Sequence, residues 1–267
     1  MDYWYGELPH KDWNGLYQNA LGEWHYYSNG MVNTKFSGLV QYNGIWYYVK
    51  NGYLDWNYSS VVLHNGIWYC VQNGQINWSY TGLAQNENGI WYIQNGQVNF
   101  NQNDVTLIDG DWYYIQGGRY DPSYEGVVCH CGVWYCVRAG RIDWSYTGLA
   151  KNENGIWYIE NGQVNWDYSG LLEYNGQHWS VVEGKWQDNF TDIILIDGEW
   201  HYVYGGMWDT GYIGVICHYG VWYYIEDGIL NWDYCGLARN GNGLWYIENG
   251  QVSWQYSGLF HDDVGYW

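Results

Sequence analysis

Three histidines, His64, His130 and His218, each stand four residues before a tryptophan, and one of them is flanked by thiols in Cys129-His130-Cys131. Histidine beside cysteine suggests metal ligation, but a structural zinc site needs four ligands converging at suitable spacing. The other two histidines have one neighbouring thiol between them, Cys217, and the Cys-His-Cys triplet falls at a turn where alternate residues diverge. A polar turn with incidental thiols accounts for the motif, and no metal is assigned. The acidic stretches Asp104 to Asp111 and Asp188 to Asp192 offer either weak calcium binding or plain turn solvation. No carboxylate pair recurs as an acid and a base, and neither a nucleophile motif nor a phosphate loop is present. No catalytic residue and no cofactor follow, and the chain reads as a non-enzyme; only the divergent stretch Glu173 to Asp192 offers room for an unrepeated pocket.

The aromatic residues suggest binding instead. A Trp-x-Tyr pair recurs as Trp56/Tyr58, Trp78/Tyr80, Trp144/Tyr146, Trp166/Tyr168, Trp232/Tyr234 and Trp254/Tyr256. Residues two apart in an extended segment point to one side, so each pair is expected to form an aromatic wall between consecutive repeats. Such a wall suits quaternary ammonium groups, held by the ring quadrupole, or sugar rings stacked on indole. The same pairs can equally serve only to seal one hairpin against the next. A fallback row runs beside the main tryptophans as Tyr47, Tyr69, Tyr92, Tyr135, Tyr158, Tyr223 and Tyr246.

The elements that position these residues are repeats. Trp24, Trp46, Trp68, Trp91, Trp112, Trp134, Trp157, Trp179, Trp200, Trp222, Trp245 and Trp267 are 21 to 23 residues apart. Each unit carries a turn signal before this tryptophan, such as Asn43-Gly44, Asn65-Gly66, Asn88-Gly89 or Asn154-Gly155, and another after it, such as Asn51-Gly52, Asn73-Gly74 or Asn161-Gly162. Asn-Gly favours the type I′ turn of a two-residue hairpin. One such hairpin is not stable alone in water, so neighbours must stack. The expected fold is all-β: a solenoid of about eleven or twelve stacked β-hairpin repeats of about 22 residues. Residues 1–22 read as an N-terminal cap, 23–258 as the repeat array and 259–267 as a truncated last unit.

Alternation along the central strand places Trp46/Tyr48, Trp68/Cys70, Trp91/Ile93, Trp134/Cys136 and Trp157/Ile159 on one uncharged face, assigned to the core. Ile45/Tyr47/Val49 and Ile90/Tyr92/Gln94 fall on the opposite face, nearer water. Cys70 and Cys136 are then buried reduced thiols.

Composition narrows the partners. The 22 Trp, 32 Tyr and 37 Gly of the 267 residues favour pleated surfaces and turns. A net charge of −19, spread along the chain, disfavours nucleic acid and anionic membranes, since phosphate recognition needs clustered cations. No apolar run approaches the ~18 residues that span a bilayer, and Met1 to Leu8 does not resemble a signal peptide. The six cysteines leave the redox compartment open.

The stretch Gly148 to Gly170, GLAKNENGIWYIENGQVNWDYSG, resembles the cell-wall-binding repeats of Gram-positive bacteria, the choline-binding and glucan-binding types, and the related repeats of clostridial toxins. The likeness extends from about Gly22 to Gly258. It implies ligand pockets between neighbouring hairpins and an extracellular or cell-surface location. Choline-binding members use the tryptophan of a Gly-Trp step as a cage wall, where this chain has Gly38-Leu39, Gly82-Leu83, Gly148-Leu149, Gly170-Leu171 and Gly236-Leu237. The function expected is therefore a non-catalytic multivalent module attaching to a cell-wall polymer or surface glycan, with choline-like cations as a further ligand class. A self-assembling structural surface protein, associating with further copies of the chain, is the alternative.

Overall fold

The computed structural model describes residues 11–261 and Gly265. Among them there is no helix, and 33 strands form eleven three-stranded repeats. The unit containing Gly38–Tyr42, Ile45–Lys50 and Tyr53–Leu54 shows the plan. Its first and central strands pair antiparallel, Gly38 opposite Val49 and Tyr42 opposite Ile45, and the central strand then pairs with the third, Val49 opposite Leu54. The third strand of the following repeat pairs with the same central strand, Gln75 opposite Tyr47. The Tyr48 N–H donates to the Gly74 carbonyl of that next repeat at 2.8 Å, while the Tyr48 carbonyl accepts from the Asp55 N–H at 3.1 Å. Each hairpin thus satisfies backbone groups its neighbour leaves open, which is why the hairpins stack. The repeats fall into two compact units, Met1–His130 with Val137–Ile142, and Cys131–Cys136 with Asp143–Trp267.

Both turns of this repeat are type I′, with φ of 48° and 82° at Asn43 and Gly44 and of 52° and 82° at Asn51 and Gly52. The second turn also requires glycine sterically. A Cβ at Gly74 would stand 2.5 Å from the Asp55 carbonyl oxygen of the preceding segment, a contact no side chain tolerates. This turn is strapped from outside as well. The Ser59 hydroxyl accepts from the Asn73 N–H at 3.1 Å, and Thr81, Thr147, Ser169 and Thr191 do the same for Asn95, Asn161, Glu183 and Gly205.

The invariant spacing belongs to the core. Tyr27, Val49, Val71, Ile93, Ile115, Val137, Ile159, Val181, Val203, Ile225 and Ile247 follow at intervals of 22 residues, and from Val49 onward none is more than 1% exposed. Val71 packs against Leu39 of the preceding repeat's first strand, and Ile93 against Val61, Ile225 against Ile193 and Ile247 against Val215 in the same way. Burying such a side chain stabilises by roughly 1.5–3 kcal/mol.

That period corrects several expectations. The tryptophan does not hold one place: Trp46, Trp68, Trp112, Trp134, Trp200 and Trp222 are three residues before the buried aliphatic, whereas Trp91, Trp157, Trp179 and Trp245 are two before it. A one-residue slip reverses the face, so Trp46/Tyr48 and Trp91/Ile93 do not share one, and Val49, placed nearer water, is fully buried. Most of these tryptophans are half-buried rather than core; Trp157 is buried. The charge at Glu160 and Glu248 marks the exposed end of the strand, not a solvent face. Asn88-Gly89 and Asn154-Gly155 are not the centres of type I′ turns either. The turns there are Glu87-Asn88 and Glu153-Asn154, without positive φ, and the glycines begin the central strands.

The first hairpin pairs Gly15–Gln18 with Trp24–Ser28, so residues expected as cap already belong to a repeat. Most of the rest of the expected cap and part of the expected last unit, including Trp267, lie outside the described residues.

Candidate functional site

The segment from the third strand to the next repeat's first strand positions the Trp-x-Tyr pair, and it is a turn rather than an extended stretch. The Tyr58 N–H donates to the Asp55 carbonyl at 3.2 Å, and the Asp55 side chain accepts from the Asn57 N–H at 3.1 Å. Asp or Asn opens the equivalent turns at Asn77, Asp143, Asn165 and Asn231, where the side chain bonds the backbone two residues on. The two aromatics therefore do not form one wall.

The tyrosine packs inward. Tyr58 stacks on Tyr48 with centroids 3.6 Å apart, and Tyr234 on Tyr224 and Tyr256 on Tyr246 at 3.8 and 4.0 Å. Tyr80, Tyr146, Tyr168, Tyr234 and Tyr256 donate their hydroxyls to the carbonyls of Leu83, Leu149, Leu171, Leu237 and Leu259. Burial pushes the Tyr224 phenol up to about 12, and burial with the Tyr58 contact does the same for Tyr48. Cys70 and Cys136 take the place of that stacked tyrosine in two repeats and are buried, as expected; desolvation raises the Cys70 thiol to about 11.

The tryptophan faces out. Trp56, Trp78, Trp144, Trp166, Trp232 and Trp254 are between 44% and 65% exposed. Four of them meet a central-strand tyrosine edge to face: Tyr47/Trp56 at 5.8 Å, Tyr69/Trp78 at 5.6 Å, Tyr135/Trp144 at 5.6 Å and Tyr223/Trp232 at 5.8 Å. Opposite each tyrosine, the next repeat's third strand supplies a glutamine: Gln75, Gln97, Gln163 and Gln251. Open grooves run between successive turns here. One of about 630 Å³ has Trp56 and Trp78 as walls and Gln72, Gln75 and Asn77 on its floor; others flank Trp78 and Trp232. The fallback tyrosine row is split by the same slip: Tyr47, Tyr69, Tyr135 and Tyr223 share one place, while Tyr92 and Tyr158 are buried one place further on. The glutamines were not singled out from sequence, although their spacing from the buried aliphatic could have shown them.

The histidine and acidic motifs are absorbed into packing. His130 Nδ1 meets Asp104 at 2.7 Å and His218 Nδ1 meets Asp192 at 2.8 Å, each imidazole against Trp112 or Trp200 with centroids 5.3 Å apart. His64 packs on Trp46 instead. Among the described residues no three His, Cys, Asp or Glu side chains converge as a metal-holding group.

A stack of three-stranded aromatic hairpins, each closed by the backbone of the next, defines a repeat-built recognition scaffold. The choline-binding repeat model matches residues 35–55, 57–77, 79–99, 109–121, 123–143, 145–165, 211–231 and 233–253, well over half of the sequence, and the chain belongs to that family. Similar solved structures include CbpJ from Streptococcus pneumoniae TIGR4, 15% identical over 94% of this chain and 99% of that one, with a TM-score of 0.33. Choline binding protein F from Streptococcus pneumoniae is 18% identical over 85% of this chain and 76% of its own, at a TM-score of 0.28. Alternansucrase in complex with isomaltononaose is 20% identical over 92% of this chain, which spans 19% of that enzyme, at a TM-score of 0.29. No curated protein matches the sequence.

Proposed function

We propose that the chain is a non-catalytic, multivalent binding module that attaches to a cell-wall polymer or surface glycan at a bacterial surface. The periodic row of half-exposed turn tryptophans beside amide-floored grooves carries this reading. One indole face contributes only about 1 kcal/mol, so single sites bind weakly, in the millimolar range. A polymer that engages several at once converts each further contact into an intramolecular one, and avidity rises by about 10² to 10⁴. Membership of the choline-binding repeat family supports a wall polymer as the partner. The part-buried tyrosines Tyr58, Tyr80, Tyr146, Tyr168 and Tyr234 hold the turns, and the tryptophans meet the ligand.

The test is retention of the full chain on Gram-positive wall fragments, before and after removal of their choline and of their glycan polymers, together with a glycan array. Retention that disappears with one of these components supports the reading. No retention on walls and none on the array, or concentration-dependent fibres instead, overturns it.

A further inference from the structure

Given that attachment function, we propose that its ligand sites are the four Tyr–Trp–Gln corners, Tyr47/Trp56/Gln75, Tyr69/Trp78/Gln97, Tyr135/Trp144/Gln163 and Tyr223/Trp232/Gln251, each taking one neutral pyranose ring. The valence is thus four, lower than the eleven repeats or the six Trp-x-Tyr pairs suggest.

The four corners are copies of one geometry. Their tyrosine and tryptophan planes cross at 87°, 78°, 79° and 83°, and the four indoles are 48%, 47%, 49% and 47% exposed. The glutamine is paired by the backbone to the tyrosine, which puts both side chains on one face of the sheet, and Gln75, Gln97 and Gln251 line the same grooves as Trp56, Trp78 and Trp232. The neighbouring amides of Asn77 and Asn99 are engaged with Gln72 and Gln94, at 2.8 and 2.9 Å, and so hold the floor in place.

The other repeats lack one part or fill it. In the repeat of Tyr113 the glutamine is replaced by Arg141, whose guanidinium lies 4.6 Å from that ring centroid, and Pro122 stands where the turn tryptophan would be. In the repeat of Trp157 the place is taken by Lys185, whose ammonium is 5.3 Å from the indole centroid. Trp166 there leans on Trp157 at 5.2 Å and on Trp134 at 6.1 Å, tryptophans where the open corners have a tyrosine. Trp254 likewise leans on Trp245, at 5.3 Å. Trp179 and His201, at the same place in later repeats, are followed by Asp188 and Thr210 in their turns and face Met207 and Ile229.

The chemistry of the open corners favours a sugar over a quaternary ammonium ion. A cation cage needs several ring faces aimed at one point. Here the edge-to-face contact occupies one face of the ring pair, leaving one flat indole surface and an amide. That combination matches the C–H face of a pyranose stacked on indole with hydroxyls bonded to a carboxamide. The grooves at Trp56 and Trp78 carry amides and no carboxylate, and the groove at Trp232 adds Glu248 to its amides.

The test follows the tryptophan indole N–H resonances of the full chain during titration with methyl α-glucopyranoside, methyl N-acetyl-β-glucosaminide and choline chloride. At least one sugar is expected to move Trp56, Trp78, Trp144 and Trp232 together, with Trp166 moving less. Gln163→Leu should weaken the Trp144 response at least tenfold and leave the other three intact, which also reports that the variant is folded. The proposal is overturned if Gln163→Leu leaves the Trp144 response unchanged, if Trp166 responds as strongly as Trp144, if choline alone moves the four, or if neither sugar does. Wall retention separates the two levels: retention with silent corners rejects only the corner assignment, and loss of retention rejects the attachment function itself.

Discussion

Asn152 accepts the indole N–H of Trp157 at 2.9 Å, and the same bond joins Asn86 to Trp91 at 2.9 Å and Asn240 to Trp245 at 2.8 Å. The asparagine amide also reaches back to the preceding repeat, Asn86 donating to the Val61 carbonyl at 3.0 Å and Asn240 to that of Val215 at 3.2 Å. One side chain thus orients a tryptophan and ties two hairpins. Trp157 is buried, so removing its acceptor leaves an unpaired N–H. Asn152→Ala should lower stability by about 1–3 kcal/mol, read as a shift of the denaturation midpoint monitored by tryptophan fluorescence. No shift would show that the bond is incidental.

The same bond explains what sequence reading missed. The extra residue in Asn86-Glu87-Asn88-Gly89 moves the tryptophan one place along the strand without lengthening the repeat, so alignment on tryptophan joined two phases. The 22-residue spacing of Val49 to Ile247 was legible and would have revealed the slip. Hairpins, their count and the buried Cys70 and Cys136 were readable because Asn-Gly turns and apolar positions are local signals. The splayed Trp56 and Tyr58 are readable too, since Asp55 two residues before Asn57 is an Asx-turn signal that overrides the extended conformation expected of Trp-x-Tyr. The position of Gln75 is legible from its spacing to Val71, but its pairing with Tyr47 is not, because Tyr47 belongs to another repeat and only the sheet register joins them.

The two turns of one hairpin should tolerate a methyl group very differently. Gly66 and Gly74 both have positive φ, 82° and 73°, but a Cβ at Gly66 meets nothing within 4 Å whereas one at Gly74 meets the Asp55 backbone. Gly66→Ala is expected to cost roughly 1–2 kcal/mol, the strain of a left-handed alanine. Gly74→Ala should cost clearly more, because backbone must also move. Equal denaturation midpoints would contradict the close approach.

Thiol labelling should occur in two stages. Cys129, Cys131, Cys217 and Cys235 are exposed and should react with a thiol reagent in the native protein. Cys70 and Cys136 are 1% exposed, and the raised Cys70 pKa further depletes its thiolate, so both should react only on denaturation. Rapid native labelling of all six would exclude the packing described.

Alkali should unfold the stack. Tyr48 and Tyr224 have folded-state pKa values near 12 against 10.0 for free phenol, so the folded chain holds these protons more tightly. Their contribution is full below pH 10, the unfolded value, and is lost as pH rises toward 12. A denaturation midpoint that falls over this window is expected. A flat profile from pH 9 to 12 would show that the stacked phenols ionise freely.

The account rests most directly on how binding divides among the turn tryptophans, measured as retention of variants on Gram-positive wall fragments. Trp56→Ala, Trp78→Ala, Trp144→Ala and Trp232→Ala should each lower apparent affinity only a few-fold, because the other sites still engage the polymer. The four together should lower it by about 10² or more, with a cooperative denaturation transition retained since these side chains lie outside the core. Loss of all binding from one substitution would indicate a unique site, and full binding by the quadruple variant would place the ligand elsewhere; either result contradicts a module that binds through its repeated tryptophan corners.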